Sequence, residues 1–404
     1  MILKETLRAI VQIQRTSNAA ADTGIERELR EKIDIDLPFA LVLSGIRRCG
    51  KSTLLRQLMK EAKQYYYFNF EDPRGTGFES SDFLKLDDIF TEEYGRQNHY
   101  FFDEIQNIDK WELGVRYLLE QKKHVIITGS NASLLSKELG TRLTGRHLRF
   151  ELFPFSYSEF LVFMKEKLAI QSFDEYLQKG GFPEFLKTNK SEALQELLSD
   201  LIARDIVVRH KLRTAKTIRD MAIFLLTNVG KEFSYTSLKK MFKLGSTNSV
   251  ISFISYLEDS YLLFTIPKFE YSLKKQVVNP KKVYSIDNGL SNANSGSFSL
   301  DKGRMLENAV FLHLRRKNKD IYYFKQKHEC DFVIKEKEKT LKAIQVCWEL
   351  TEENKEREIN GLTEALEALQ LKNGLIITHH QEDVIETQGK TIYIEPAWKW
   401  MYEK

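Results

Sequence analysis

The feature that most constrains this chain of 404 residues is a glycine-rich segment between an apolar run and a helical pattern. Residues 45–52 fit the phosphate-loop pattern Gly-x-x-x-x-Gly-Lys-Ser at every fixed position. Residues 39–43 before the loop have the length of a buried strand, and residues 53–60 after it have helical spacing. A strand, a glycine loop and a helix in this order predict a site for nucleotide phosphates.

The residue types in the loop explain this prediction. Gly45 and Gly50 lack a Cβ, so successive backbone N–H groups can turn inward towards a phosphate. Lys51 supplies a positive charge for the β- and γ-phosphates, and Ser52 supplies a hydroxyl ligand for Mg²⁺. We therefore expect ATP and Mg²⁺ as ligands. The predicted cofactor-binding segment also contains Arg47, Arg48, Cys49 and Thr53.

Composition sets the class of protein. A hydrophobic content of 42% and a charged content of 29% are typical of a soluble globular chain of two or three domains. No apolar run reaches membrane-spanning length, and the first residues lack a signal-peptide pattern. Cys49, Cys330 and Cys347 have neither zinc nor disulfide spacing, so we expect a cytoplasmic location. Because the net charge is only +4, any contact with DNA must come from local basic patches.

Two carboxylates follow a second apolar run. Residues 100–102 predict a strand, and Asp103 and Glu104 come directly after it. We expect Asp103 to hold Mg²⁺ through its water shell and Glu104 to polarise the attacking water. Further strands are predicted at residues 65–70, 125–130 and 148–152.

Small polar residues and arginines near the later strands complete the predicted site. The strand at residues 125–130 should lie beside the first strand and present Ser130 or Asn131 to the γ-phosphate or the water. The alternative for Asn131 is a helix cap. Arg146 is the first candidate for an arginine finger, supplied by its own chain or by a neighbouring copy in a homo-oligomer, and Arg142 is the second. The alternative for both is a surface arginine paired with a carboxylate.

Residues 20–165 resemble the AAA-type ATPase domain of a bacterial and archaeal family, the AAA_14/DUF4143 type. The matching segments are the phosphate loop and residues 68–72, 103–106, 128–131, 143–146 and 152–160. The resemblance implies a parallel ATPase sheet of five strands and a signalling or motor ATPase. Residues 180–184 and 204–210 match the helical lid of this family, and in that lid Arg209 is implied to sense the phosphates.

The middle of the chain predicts a winged helix-turn-helix. Three helical patterns, at residues 217–229, 234–242 and 246–258, precede apolar strands at 262–266 and 282–286. The third helix opens with short polar residues suited to base edges and phosphates: Ser246, Thr247, Asn248 and Ser249. Lysines flank it at positions 239, 240, 243, 274, 275, 281 and 282. DNA is the favoured partner, and the alternative is a protein partner with solvated lysines.

The last third of the chain looks like a restriction-endonuclease-like core. Such nucleases use a helix Glu, a strand Asp and a Glu-x-Lys motif to bind Mg²⁺ and activate water. Glu307 and Asp331 match, but the Glu-x-Lys position reads Gln345, Val346 and Cys347. We interpret this region as a degenerate nuclease that binds nucleic acid or a partner. Cleavage is the alternative.

These observations predict an α/β protein with a P-loop AAA-type parallel sheet, a helical lid, a winged helix and an α/β restriction-endonuclease-like domain. The expected boundaries are 1–165, 166–213, 214–290 and 291–404. We expect the chain to hydrolyse ATP to ADP and phosphate, with Lys51, Glu104 and Arg146 as catalytic residues, and to couple nucleotide state to DNA binding. The alternatives are an ATP-loaded switch or scaffold for a protein partner, and an ATP-dependent nuclease.

Overall fold

The computed structural model describes residues 2–130, 145–212, 214–296, 301–336 and 340–403. The chain divides into two compact units, Met1–Phe153 and Pro154–Lys404, and each is described by itself. Within the described ranges, every helix is too short or too polar to cross a membrane. Our four-part domain division, with its first boundary at residue 165, stays a prediction.

The first unit is built on one parallel sheet. Its described strands are β1 Ala40–Ser44, β2 Tyr65–Asn69, β3 His99–Asp103, β4 His124–Gly129 and β5 His147–Glu151. Its described helices are α1 Lys4–Ala19, α2 Lys51–Ala62, α3 Asp82–Tyr94 and α4 Trp111–Glu120, with 3₁₀ turns at Glu28–Lys32, Pro73–Gly75 and Ile105–Asn107. The strand order is β2-β3-β4-β1-β5, and each pairing is parallel. The predicted parallel sheet is therefore confirmed, including the position of β4 beside β1.

The apolar strands of this sheet form its core. β1 is buried along its whole length, as expected for a central strand covered on both faces. In β2 burial alternates, and the buried Tyr66 stacks on Phe90 of α3 with ring centroids 4.7 Å apart. The aromatic run of β2 therefore serves packing. Because the strands are parallel, their carboxyl ends share one edge of the sheet, where α/β proteins bind ligands.

The second unit contains helices and two further sheets. Its described helices are α5 Tyr157–Met164, α6 Ile170–Lys179, α7 Pro183–Thr188, α8 Glu192–Asp200, a π-helix Leu201–Val208, α9 Ala215–Thr227, α10 Tyr235–Met241, α11 Thr247–Asp259, α12 Leu273–Val278, α13 Asn288–Asn294, α14 Lys302–Lys317, α15 Lys355–Ala368 and α16 Ala397–Trp400. Its described strands are β6 Glu232–Phe233, β7 Leu263–Pro267, β8 Lys281–Ser285, β9 Ile321–Lys325, β10 Glu329–Glu336, β11 Thr340–Val346, β12 Asn373–Thr378, β13 Asp383–Thr387 and β14 Lys390–Pro396.

The two sheets of the second unit touch each other. The three-stranded sheet has the order β6-β8-β7 and is antiparallel, and the six-stranded sheet has the order β13-β14-β12-β11-β10-β9. Residues 322–325 and 330–334, which the sequence predicts as a hairpin, form the antiparallel pair β9 and β10. An isolated bridge joins Lys268 to Tyr323 of β9, and the Phe269 N–H donates to the Tyr323 carbonyl at 2.7 Å. Backbone hydrogen bonds thus connect the middle and last regions of the chain.

The lysines predicted to flank a DNA surface have different environments. Lys240 and Lys243 are exposed. Lys282 is 2% exposed and contacts carboxylates, so the expectation that it faces DNA is wrong. The reason is that β8 is the central strand of its sheet and is buried from Lys282 to Ser285. Of the polar residues that open α11, Ser246 is the N-cap and its hydroxyl accepts the Ser249 N–H at 3.1 Å.

The glycines of residues 180–184 are explained by close packing inside the second unit. A Cβ on Gly180, which has φ +69°, would lie 2.2 Å from Asp287 Oδ1. The Gly181 N–H donates to Asp287 Oδ2 at 2.6 Å, and Asp287 also caps α13. Burial raises the pKa of the Asp287 carboxyl to about 6. This motif therefore fixes the end of α6 against the start of α13.

We expect acid to destabilise the second unit through His313 of α14. Burial lowers the pKa of His313 to about 3, and Lys317 donates to its Nε2 at 2.9 Å. In the unfolded chain the His313 imidazole takes up a proton near pH 6.5, whereas in the folded chain it stays neutral until about pH 3. The free energy of unfolding should therefore fall as the pH drops from about 6.5 towards 3, by up to roughly 4 kcal/mol.

Urea unfolding at about pH 7 and about pH 5 measures this change in the free energy of unfolding. His313→Gln, which keeps an acceptor for Lys317, should flatten the pH dependence, whereas His380→Gln at an exposed position should not. An unchanged slope in His313→Gln would show that other groups control the acid response.

Candidate functional site

The phosphate loop joins β1 to α2 at the carboxyl edge of the first sheet. A Cβ on Gly45 would lie 2.2 Å from the Leu152 carbonyl oxygen, so only glycine fits there. Gly50 has φ +101° and immediately precedes α2, a conformation that also favours glycine. The two glycines thus let the loop lie against the segment after β5 and enter the helix.

Lys51 is held inside this loop. Its side chain is 4% exposed, and its ammonium donates to the carbonyls of Gly45 and Ile46 at 3.2 Å each. Its Nζ lies 3.6 Å from Glu104 Oε1. Burial opposes the charge of Lys51, but the nearby Glu104 outweighs it and raises the lysine pKa. A permanent positive charge therefore lies at the loop.

Asp103 and Glu104 are held together by one threonine. The Thr128 hydroxyl at the end of β4 donates to Asp103 Oδ1 at 2.5 Å and accepts the Glu104 N–H at 2.9 Å. Glu104 has φ +52°, an uncommon conformation for a residue with a side chain. The hydroxyl of Thr128 thus fixes both the first carboxylate and the backbone of the second.

Ser52 and Asp103 form the oxygen pair that the sequence predicted for Mg²⁺. The Ser52 hydroxyl hydrogen-bonds the Asp103 carboxylate, and Tyr67 donates to Asp103 Oδ2 at 3.4 Å. Burial, with the nearby Glu104 charge, raises the pKa of Asp103. A hydroxyl and a buried carboxylate side by side are oxygen donors of the kind that Mg²⁺ prefers, so these residues fit the ion.

Glu104 differs from Asp103 in its ionisation. Burial disfavours its charge, but the nearby Lys51 ammonium outweighs burial and lowers the pKa of Glu104. Gln106 Nε2 donates to Glu104 Oε2, and also lies 3.4 Å from the hydroxyl of Ser130. Glu104 is therefore an ionised, oriented carboxylate at neutral pH, as a residue that aligns water must be.

Comparisons with known proteins identify the family of the chain. Family models match residues 38–161 (AAA domain), 170–301 (domain of unknown function DUF8612) and 302–398 (domain of unknown function DUF4143). An uncharacterized protein of Methanocaldococcus jannaschii, MJ1544, is 36% identical, over 99% of this chain and 96% of that protein. The chain belongs to the AAA-type ATPase family with a DUF4143 C-terminal region.

Two further relatives are more distant. An uncharacterized protein of Haemophilus influenzae is 28% identical to the chain, over 80% of this chain and 85% of that protein. Among solved structures, the Walker-type ATPase PABY2304 of Pyrococcus abyssi matches with a TM-score of 0.42 and 17% identity, over 66% of this chain and 95% of that one. The family models and the 36% identical protein confirm the family predicted from the sequence, whereas the DUF8612 region was not predicted.

Arg27 is a supporting residue of the phosphate loop that the sequence analysis missed. Arg27 is 2% exposed, and its guanidinium donates to the carbonyls of Cys49 and Phe153 at 2.7 Å each. A buried arginine that satisfies two carbonyls fixes the loop to the segment after β5. No local pattern marks Arg27, because its partners lie 22 and 126 residues away.

The remaining loop residues contact protein atoms. Arg47 lies 3.3 Å from Glu71, and Arg48 has φ +63°. Cys49 is fully buried, its thiol donates to the Leu152 carbonyl at 3.5 Å, and burial raises its pKa. A protonated, enclosed thiol fills space in the loop. Thr53 is half-buried on the first turn of α2.

The arginine-finger prediction needs a correction. Arg146 is exposed and precedes β5, and its carbonyl accepts the Ala40 N–H at the start of β1. This is the amino-terminal edge of the sheet, roughly 15 Å of strand away from the phosphate loop. Arg146 therefore cannot complete the site of its own chain, and its supply by a neighbouring copy stays a prediction. Arg142 and Asn131 lie outside the described residues, and Arg209 belongs to the second unit, so its predicted role stays a prediction.

Thr128→Val should lower the free energy of unfolding of the AAA-type domain by about 1–3 kcal/mol. Valine keeps the shape but removes the hydroxyl, which leaves the buried Glu104 N–H and Asp103 Oδ1 without this partner. Urea unfolding followed by hydrogen exchange in β3 and β4 measures the change.

The matched control is Thr91→Val, at an exposed position of α3, which should shift stability by less than about 0.5 kcal/mol. Equal effects of the two substitutions would mean that Thr128 does not fix the carboxylate pair.

Proposed function

We propose that this protein hydrolyses ATP to ADP and phosphate. The observation that carries the proposal is the meeting of Lys51, Asp103 and Glu104 at one sheet edge, with the lysine 3.6 Å from Glu104. A cation for phosphate, oxygen donors for a metal ion and an ionised carboxylate for water are the parts that phosphoryl transfer to water requires.

Each residue has one task in this proposal. The loop amides and Lys51 bind the β- and γ-phosphates, and the lysine exchanges its carbonyl contacts for phosphate oxygens. Ser52 and Asp103 would hold Mg²⁺, which supplies charge neutralisation for the phosphates. Glu104 accepts a hydrogen bond from the attacking water and aligns it. Gln106 and Thr128 keep Glu104 in place.

Replacing Glu104 with Gln should separate binding from hydrolysis. The amide keeps the size of the side chain but cannot accept the proton of the water, so phosphate release should fall by about 10²- to 10⁴-fold while ATP affinity changes little. Phosphate release and nucleotide titration of the same preparation provide the two readouts.

Glu120→Gln is the matched control, because Glu120 lies on the surface and pairs with Arg116. Unchanged phosphate release in Glu104→Gln would favour the alternative of an ATP-loaded switch or scaffold. Loss of ATP binding in Lys51→Ala together with normal folding would support the phosphate loop as the binding site in either case.

We also propose that residues 214–290 form a winged helix that binds DNA. The element order α9-β6-α10-α11-β7-β8, with the sheet order β6-β8-β7, supports the fold. Lys240 and Lys243 are exposed near the start of α11, and Asn248 in its first turn is exposed as well. Two cations beside an exposed helix start suit phosphate contacts, and the exposed amide suits a base edge.

The double variant Lys240→Glu, Lys243→Glu should weaken duplex DNA binding at least about tenfold and reduce the dependence of log affinity on log salt by about two. Fluorescence anisotropy at several salt concentrations measures both, with duplex, single-stranded and branched DNA.

The control Lys216→Glu changes an exposed lysine on α9. Equal weakening by the control would indicate an effect of net charge alone. Absence of binding and of ATPase stimulation by every form of DNA would favour a protein partner for this region.

A further inference from the structure

Four charged side chains meet at one point in the second unit, which we call the carboxylate centre. Glu307 belongs to α14, Glu329 and Asp331 belong to β10, and Lys282 comes from β8. The Lys282 ammonium lies 2.8 Å from Glu329 Oε1, 2.9 Å from Asp331 Oδ1 and 3.2 Å from Glu307 Oε1. Because this side chain is 2% exposed, the carboxylates replace water around its charge.

Two of the carboxylates, those of Glu307 and Asp331, accept further hydrogen bonds. The Tyr284 hydroxyl donates to Glu307 Oε1 at 2.7 Å. The Val346 N–H donates to Asp331 Oδ2 at 3.0 Å. Oxygens that a divalent ion would need as ligands are therefore already hydrogen-bonded to the chain itself.

Gln345 belongs to the hydrogen bonds around the carboxylate centre. It occupies the position where a nuclease would have a third carboxylate. Its Oε1 accepts the Asp331 N–H at 3.1 Å, and its Nε2 donates to Glu358 Oε2 at 2.6 Å. A glutamate at this position could not donate to Glu358, so the neutral amide suits the closed centre. Gln345 thus joins the backbone of Asp331 to the carboxylate of Glu358 without adding a charge.

The lysine is a fixed cation in this environment. Burial disfavours its charge, but Asp331 and Glu307 outweigh burial and raise the pKa of Lys282 well above its ordinary value. An ammonium that keeps its proton cannot accept one from water. A second lysine, Lys325, lies 3.0 Å from Glu329 and 2.7 Å from Glu232, so the ion pairs continue towards β6.

We propose that Lys282 is the built-in cation of the carboxylate centre. Its ammonium takes the place between Glu307 and Asp331 that a divalent metal ion would need, and this keeps the centre free of metal and inactive as a nuclease. The centre opens on a pocket of about 670 Å³, so ions can reach it from solvent.

The test is whether removal of one ammonium creates a divalent metal site. Mn²⁺ binding is measured by calorimetry and electron paramagnetic resonance without nucleotide, on full-length proteins that all carry Asp103→Asn to remove the carboxylate of the nucleotide site. Lys282→Met should bind one additional Mn²⁺ ion, at least about a hundredfold more tightly than the parent, because the repulsion between the ammonium and a divalent ion is gone. Its melting temperature should rise on addition of Mn²⁺.

Two controls distinguish this result from a general loss of charge. Lys281→Met, the preceding residue on β8, should leave Mn²⁺ binding unchanged. Lys282→Met combined with Asp331→Asn should lose the new site. Lys282→Gln serves as a second variant if the methionine variant does not fold, since its amide can still donate a hydrogen bond to the carboxylates.

Two results on metal binding and one on DNA cleavage would overturn the proposal. One is Mn²⁺ binding to the parent protein that disappears in Asp331→Asn, because the lysine would then not exclude metal. The other is a folded Lys282→Gln or Lys282→Met protein with no added Mn²⁺ site. Metal-dependent DNA cleavage by the parent that is lost in Asp331→Ala would likewise show that the centre is not closed.

Discussion

The parallel register of β1, β3 and β4 is the constraint on which the candidate site depends. It places the ends of three strands next to one another, so that the loop after β1, the carboxylates after β3 and Thr128 on β4 share one edge. The Thr128 hydroxyl then joins the two carboxylates through a side-chain and a backbone hydrogen bond. Without this register, the phosphate loop would have no carboxylates beside it.

The second unit uses charge in a different way. In the first unit, the buried Lys51 lies 3.6 Å from a single carboxylate, that of Glu104. In the carboxylate centre, Lys282 is in direct contact with three carboxylates, and two of them, Glu307 and Asp331, accept further hydrogen bonds. Buried ions of this kind are tolerated only when every charge has a partner, which makes them specific contacts between elements.

Local sequence explains which predictions succeeded. The phosphate loop, the five strands of the first sheet and the hairpin β9-β10 were predictable because each is encoded in a short run of residues. Arg146 precedes the segment predicted as a strand. In a parallel sheet this already implies a position at the amino-terminal edge, away from the phosphate loop of the same chain. Arg27 could not be found this way, since its partners are distant in sequence and a lone arginine has no pattern.

The amino-acid sequence by itself determined the nucleotide-binding loop, the carboxylates that follow β3 and the family of the chain, because these depend on residues next to one another. Only the tertiary structure decided that Lys282 enters the carboxylate centre and that Arg27 supports the loop. Lys282 is 49 residues from Asp331 and 25 from Glu307 along the chain. Contacts between residues so far apart depend on how the sheets pack. The sequence alone does not distinguish a lysine that faces water from one that is buried against carboxylates.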